Sequence, residues 1–178
     1  MSSLQVEGEK VSITNKVECG NDSKKRKMMI IRRSQRHEGE GLIAIWCRSV
    51  DATHDFLSAQ DRADIEVQVR AFLPEAPLWV AVDDNDMPVA FMLLSEHHLE
   101  ALFVDPDARG TGVGRKMIEH ALSLIPDLTT DVNEQNAQAV WFYQKMGFAV
   151  TGRSETDDHG RPYPLLHLRY CGASPESA

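Results

Sequence analysis

Between residues 29 and 170 short apolar runs alternate with segments whose apolar residues recur every three or four positions, the pattern of strands interleaved with amphipathic helices. Residues 29–33 predict a first strand, and 38–50 a helix with Leu42, Ile45, Trp46 and then Ser49 or Val50 on one face. A second helix over 61–72 takes Ser58 or Asp61 as its cap and stops before Pro74. Residues 77–82 and 88–94 are apolar runs joined by Asp83-Asp84-Asn85-Asp86, which predicts an antiparallel hairpin. A fourth strand over 98–105 precedes a third helix over 112–125, which Pro126 ends. A fifth strand over 128–132 and a last helix over 136–146, stopped by Gly147, lead to a closing hairpin of 148–154 and 165–170 across Asp157-Asp158-His159-Gly160. The expected class is α/β.

A chain of 178 residues that is 42% hydrophobic holds one domain with a real core. Residues 1–27 differ from the rest: they are polar and end in Lys24-Lys25-Arg26-Lys27. They read as an appended leader, with Met28 or Met29 opening the domain; a localisation or nucleic-acid patch is the other use of such a basic cluster. The domain is then 28–172, with a tail over 173–178. A formal net charge of -8 opposes polyanions, which disfavours nucleic acid and anionic membranes as partners and suits a cationic acceptor. Cys19, Cys47 and Cys171 have no metal-ligand spacing, so no metal is expected and a reducing compartment follows. No apolar run approaches the roughly 20 residues that span a bilayer, and the first residues are no secretory segment, so the expected location is cytoplasmic.

Chemistry concentrates at Arg109-Gly110-Thr111-Gly112-Val113-Gly114, where the fourth strand gives way to the third helix. Glycines permit backbone conformations closed to other residues, and the free N–H groups of a new helix carry partial positive charge. Such a turn cradles phosphate. A Walker loop is excluded, because Gly114 is followed by Arg115-Lys116-Met117 and the magnesium-binding hydroxyl is missing. The dinucleotide fingerprint fits less well: Arg115 occupies the place of its third glycine when Gly110 is counted first, although Asp131 falls near the position of a ribose-binding acid.

The loop Arg109-x-x-Gly112-x-Gly114 after Val104-Asp105-Pro106, with Asn133-Glu134-Gln135-Asn136 and Phe142-Tyr143-Gln144-Lys145-Met146-Gly147-Phe148 downstream, resembles the GNAT superfamily of N-acetyltransferases over nearly all of the chain after Met28. Within it the chain is similar to small bacterial enzymes, including those that modify protein lysines. The resemblance implies a mixed, strongly bent sheet of about seven strands flanked by four helices and splayed between strands 4 and 5. It implies acetyl-CoA as acyl donor and direct transfer to a primary amine of a small molecule or a protein lysine; whether two copies pair through an edge strand as a homodimer is left open by the sequence. A non-catalytic acyl-CoA sensor and a tRNA-acetylating toxin are the other roles that such a chain could take.

The same resemblance implies site residues. Main-chain groups of Gly110, Thr111, Gly112, Val113, Gly114 and Arg115, with the Arg109 and Arg115 side chains, would hold the pyrophosphate of coenzyme A. Leu102, Phe103 and Val104 would pair with the pantetheine arm through their backbone, and Asn136 would cap the last helix or bond the pantetheine amides. Tyr143 would protonate the departing thiolate, since a phenol titrating near 10 keeps its proton at neutral pH. Strict alternation puts His98, Glu100 and Leu102 on one face of the fourth strand, which makes His98 or Glu100 the expected base. The loop 52–57 joins the first two helices, so His54 and Phe56 are expected in the acceptor wall. Cys47, between Trp46 and Arg48, reads as an inert thiol in a helix rather than a nucleophile.

Overall fold

The computed structural model describes residues 29–172; the leader over 1–27, the Met28 start and the tail over 173–178 lie outside the described residues. The strands are β1 (Ile30–Arg33), β2 (Trp79–Val82), β3 (Pro88–Ser95), β4 (His98–Val104), β5 (Thr129–Asn133), β6 (Phe148–Ser154) and β7 (Leu165–Tyr170). The helices are α1 (Gly39–Thr53), α2 (Ala59–Phe72), α3 (Val113–Leu124) and α4 (Ala137–Lys145). All seven strands join one mixed sheet in the order β1-β2-β3-β4-β5-β7-β6. Among the described residues its only parallel neighbours are β4 and β5, linked by the α3 crossover as parallel pairs require. They pair at His98↔Thr129 and Leu99↔Thr130 alone, then part. The fork expected between the fourth and fifth strands is therefore present.

Both faces of the central strands are covered. Val80, Val82 and Phe91 face α1 and pack with Leu42, Ile45, Trp46 and Val50, whereas Ala81, Ala90 and Met92 face α3 and pack with Met117, Ile118 and Ala121. The period-2 alternation of β2 and β3 thus serves two helical layers at once. Of the two candidate caps for the second helix the structure takes Ser58, whose hydroxyl accepts the Asp61 N–H at 3.1 Å.

Two local departures bear on function. The first helix runs on to Thr53, because the Thr53 hydroxyl donates to the Ser49 carbonyl at 2.7 Å and the His54 N–H still reaches Val50 O at 2.8 Å. The joining loop is correspondingly shorter than 52–57. In β4 the expected alternation fails: Leu93 pairs Ala101 while Leu94 pairs Leu99, so Glu100 is an extra, bulged residue. The bulge shifts the phase of the strand. Leu99, Leu102 and Val104 face the α3 layer and Phe103 faces α1, so His98, the neighbour of Leu99, and Leu102 lie on opposite faces and do not share one.

Glu38, 7% exposed, anchors the start of α1. Its carboxylate accepts Arg32 Nη2 at 2.7 Å and Nη1 at 3.2 Å, and the Gln35 N–H at 2.6 Å. Burial pushes its pKa up, but Arg32 and the Gln35 N–H outweigh burial and leave it below the usual carboxylate range. Arg32→Met strands this charge, and is expected to lower the unfolding free energy measured with urea at pH 7 by about 3 kcal/mol. In the wild-type protein the contribution is present above the ordinary carboxylate range and is lost as the pH falls through Glu38's lowered value, so acid should narrow the difference between the two proteins.

Candidate active site

The sequence after β4 builds a cradle. Asp105 is buried beside Arg48, with which it forms an ion pair, and its Oδ1 accepts the Asp107 N–H at 3.0 Å to close a single 3-10 turn, Pro106–Ala108. Gly110 and Gly112 then take φ of +74° and +84°, a region that penalises any side chain, and among the described residues no atom beyond the glycine and its chain neighbours lies within 4 Å of a Cβ built on either. Thr111 braces the loop by donating to Ala108 O at 2.5 Å. Gly112 caps α3 without a side chain, and the helix's first internal bond is Lys116 N–H to Gly112 O at 3.1 Å. The N–H groups of Val113, Gly114 and Arg115 therefore have no intrahelical partner and sit at the positive end of the helix dipole. Gly114 also lets the Phe142 ring approach, since a Cβ there would stand 3.3 Å from it.

A cleft of about 400 Å³ runs from this cradle along the open edge of β4, between α4 and the C-terminal end of α1. It brings together His54, Leu102, Phe103, Val104, Arg109, Gly110, Gly112, Val113, Gly114, Arg115, Asn136 and Tyr143. Phe142, from the same motif as Tyr143, joins them, as do Ser49, Thr53, Gln138, Ala139 and Trp141, which belong to no motif that marks them. Trp141 carried the one usable signal, an aromatic on the polar side of an amphipathic helix, and is 61% exposed. Thr111, His98, Glu100 and Phe56 lie outside the lining. Glu100 is exposed on its bulge, where the Ser95 hydroxyl donates to it. Phe56 stacks behind His54, with ring centroids 5.2 Å apart, and meets Tyr163 at 6.0 Å.

The polar groups of the cleft divide by charge. Arg109 and Arg115 supply positive charge at the cradle, and Arg109 Nη2 donates to the buried Ser49 hydroxyl at 3.3 Å. His54 lies deeper, with Nδ1 2.7 Å from Thr53 Oγ1. Burial first, and then Arg109, lower its pKa, so its ring is neutral at physiological pH. Asn136 caps α4, its Oδ1 accepting the Ala139 N–H at 3.1 Å. Tyr143 is 7% exposed and wedged edge-on against Phe142 and Phe148. Burial raises its pKa far above the usual phenol range, against a smaller opposite pull from the Thr130 hydroxyl. Cys47 packs beside the α1 core and lines no part of the cleft.

Comparison with known proteins fits this geometry. A family model described as "Acetyltransferase (GNAT) domain" matches residues 49–164. Peptidyl-lysine N-acetyltransferase YjaB of Escherichia coli (strain K12) is 70% identical over 143 residues, which cover 80% of this chain and 97% of that protein. The solution structure of apo-form YjaB from Escherichia coli aligns with a TM-score of 0.80 at 68% identity, over 82% of this chain and 99% of the other. The PaiA N-acetyltransferase of Thermoplasma acidophilum, in complex with coenzyme A, shares the fold with a TM-score of 0.64 at 17% identity, over 80% of this chain and 99% of the other.

The shift on Tyr143 has a measurable consequence. A phenol held neutral in the fold leaves stability independent of its ionisation below about pH 10, and costs stability above it, where the unfolded chain ionises first. Tyr143→Phe should therefore lose less stability than the wild-type protein between pH 9 and pH 11 in urea titrations, and equal losses would contradict the burial of the hydroxyl.

Proposed function

Because the chain belongs to the GNAT family of acetyltransferases, whose members move an acetyl group onto an amine, we propose that its donor is acetyl-CoA and its acceptor the side-chain amine of a protein lysine. The observation that carries the choice of acceptor is the 70% identity to a peptidyl-lysine N-acetyltransferase over 143 residues. The choice of donor is supported by the cradle, with its unpartnered N–H groups, open space and two arginines. A cytoplasmic setting suits this donor.

The N–H groups from Gly110 to Arg115 would hold the pyrophosphate, with Arg109 and Arg115 neutralising its charge. Among the described residues the edge of β4 that faces β5 has no strand partner past Leu99, while its other edge is satisfied by β3. The Asp105 N–H bonds Val89 O on β3, so by the alternation of an antiparallel ladder Phe103 also spends its backbone groups on β3. Those of Leu102 and Val104 turn to the open edge and are free to pair with the pantetheine amides, where one N–H would polarise the thioester carbonyl. Asn136, its Oδ1 spent on the cap, keeps its amide N–H groups for the same arm. His54, backed by Phe56, walls the acceptor side. His98 and Glu100 flank the start of the fork, and of the two it is His98 that borders β5.

When acetyl-CoA is bound it supplies the activated acyl carbon. The amine lone pair forms the C–N bond, the C–S bond breaks, and the Tyr143 hydroxyl gives its proton to the sulfur. A phenol with so high a pKa yields that proton only as another arrives. The amine's own proton, lost as the C–N bond forms, supplies it.

The test is thiol release with acetyl-CoA and lysine peptides. Wild-type protein is expected to release coenzyme A with lysine peptides and not with arginine controls, and Tyr143→Phe should lose about 100-fold in kcat while binding coenzyme A as before. No release from any peptide would refute the lysine assignment, and unchanged kcat in Tyr143→Phe would refute the acid.

A further inference from the structure

Where the fork opens, the face turned away from Tyr143 carries a polar cluster that the cleft does not include. Thr130 and Val132 are buried toward the α4 layer, so by alternation Thr129 and Asp131 lie on the opposite face, and Asp131 is the first β5 residue beyond the last β4 pairing. His98 Nδ1 is 2.8 Å from Thr129 Oγ1, which also lies 3.1 Å from the His97 carbonyl. A threonine hydroxyl has one proton. If it goes to the carbonyl, the hydroxyl accepts from His98 Nδ1–H and leaves His98 Nε2 as a lone pair. That lone pair stands 3.7 Å from Asp131 Oδ2.

Two acceptors therefore converge at a separation too long for a hydrogen bond between them, with neither atom engaged elsewhere among the described residues. The other carboxylate oxygen is fully committed: His167 Nδ1 lies 2.6 Å from Asp131 Oδ1, and its Nε2 lies 2.7 Å from Ser154 Oγ. A carboxylate only accepts, so Nδ1 carries the proton and Nε2 receives the serine hydroxyl. The imidazole has room because residue 152 is glycine. A Cβ there would stand 3.3 Å from His167 Cδ2.

We infer that His98 Nε2 and Asp131 Oδ2 together receive the ammonium of the acceptor lysine, and that His167, tied to Ser154, is a positioning residue that holds Asp131 in place for it. The inference rests on the proposed lysine acceptor. A primary ammonium has three N–H donors and can serve both acceptors while directing its carbon chain outward. One proton passes from the ammonium to His98 Nε2 and on to solvent, which frees the nitrogen lone pair. The second proton leaves the nitrogen as the C–N bond forms and replaces the one that Tyr143 gives to sulfur, so a single proton is released per turnover. The amine enters on one face of the fork and the thiolate is protonated from the other.

Variants of His167 separate positioning from packing. His167→Leu removes the donor to Asp131, and His167→Asn keeps an N–H near the place of Nδ1. With a lysine peptide, His167→Leu is expected to raise KM for the peptide about tenfold, the value of one lost hydrogen bond to a charge, with affinity for coenzyme A unchanged. His167→Asn should return KM to within about threefold of the wild-type value. Wild-type kinetics in His167→Leu would overturn the inference, as would a His167→Asn protein that is folded yet as impaired as His167→Leu. If wild-type protein acetylates small amines but no lysine peptide, the lysine reading fails by itself, and the same variants are scored on the amine that reacts. If it acetylates neither, nitrogen-15 spectra of the imidazoles still decide: a proton on His167 Nδ1 that persists in wild-type and is lost in Asp131→Asn supports the brace, and its absence in wild-type overturns it.

Discussion

The structure turns on how little holds β4 to β5. Parallel strands joined by a helical crossover normally pair along their length, yet here two residue pairs are made before the strands diverge. An unpaired strand edge inside a sheet is a cost unless something satisfies its N–H and C=O groups. Two features keep the fork from closing. The α3 crossover packs Met117, Ile118 and Ala121 against β3 and β4, while Tyr143 and Phe148 hold β5 and β7 against α4. The bulge at Glu100 then shifts the phase of β4 just beyond its last pairing with β5, so the strand presents Leu102 and Val104 to the cleft side.

From that opening the electrostatics follow. The chain as a whole is acidic, at -8, but the cleft has the reverse local sign at one end, with Arg109, Arg115 and the start of α3 around the glycine turn. The opposite sign lies across the fork, at Asp131. Under the proposed function an anionic donor and a cationic acceptor would be drawn to different ends and different faces of one gap. Neither needs the global charge to change.

Most of the fold was legible along the chain because its strands and helices keep clean periods. Val80, Ala81 and Val82 alternate between two covered faces, and Pro74, Pro126 and Gly147 mark stops that the structure respects within a residue or two. The cradle was legible for a stronger reason: Gly110 and Gly112 adopt backbone angles that only glycine takes freely. What misled was the fourth strand. A bulge leaves no mark in the hydrophobic pattern, so alternation carried His98 and Leu102 to one face when Glu100 in fact separates them. Ser49 and Thr53 were illegible because nothing in the sequence of α1 says which polar side borders a gap in a sheet. His167 and Asp131 meet only through the pairing of β5 with β7, 36 residues apart in sequence, and no local pattern announces such a contact.

The central claim is that the open edge of β4 and the bare N-terminus of α3 form one surface for coenzyme A. Backbone amide shifts recorded during titration with coenzyme A measure this directly. The account predicts that the largest changes fall on Leu102 to Val104 and Gly110 to Arg115, with β1 and β2 unmoved. Saturating coenzyme A that left those amides unshifted, or that moved a different face of the sheet instead, would contradict it.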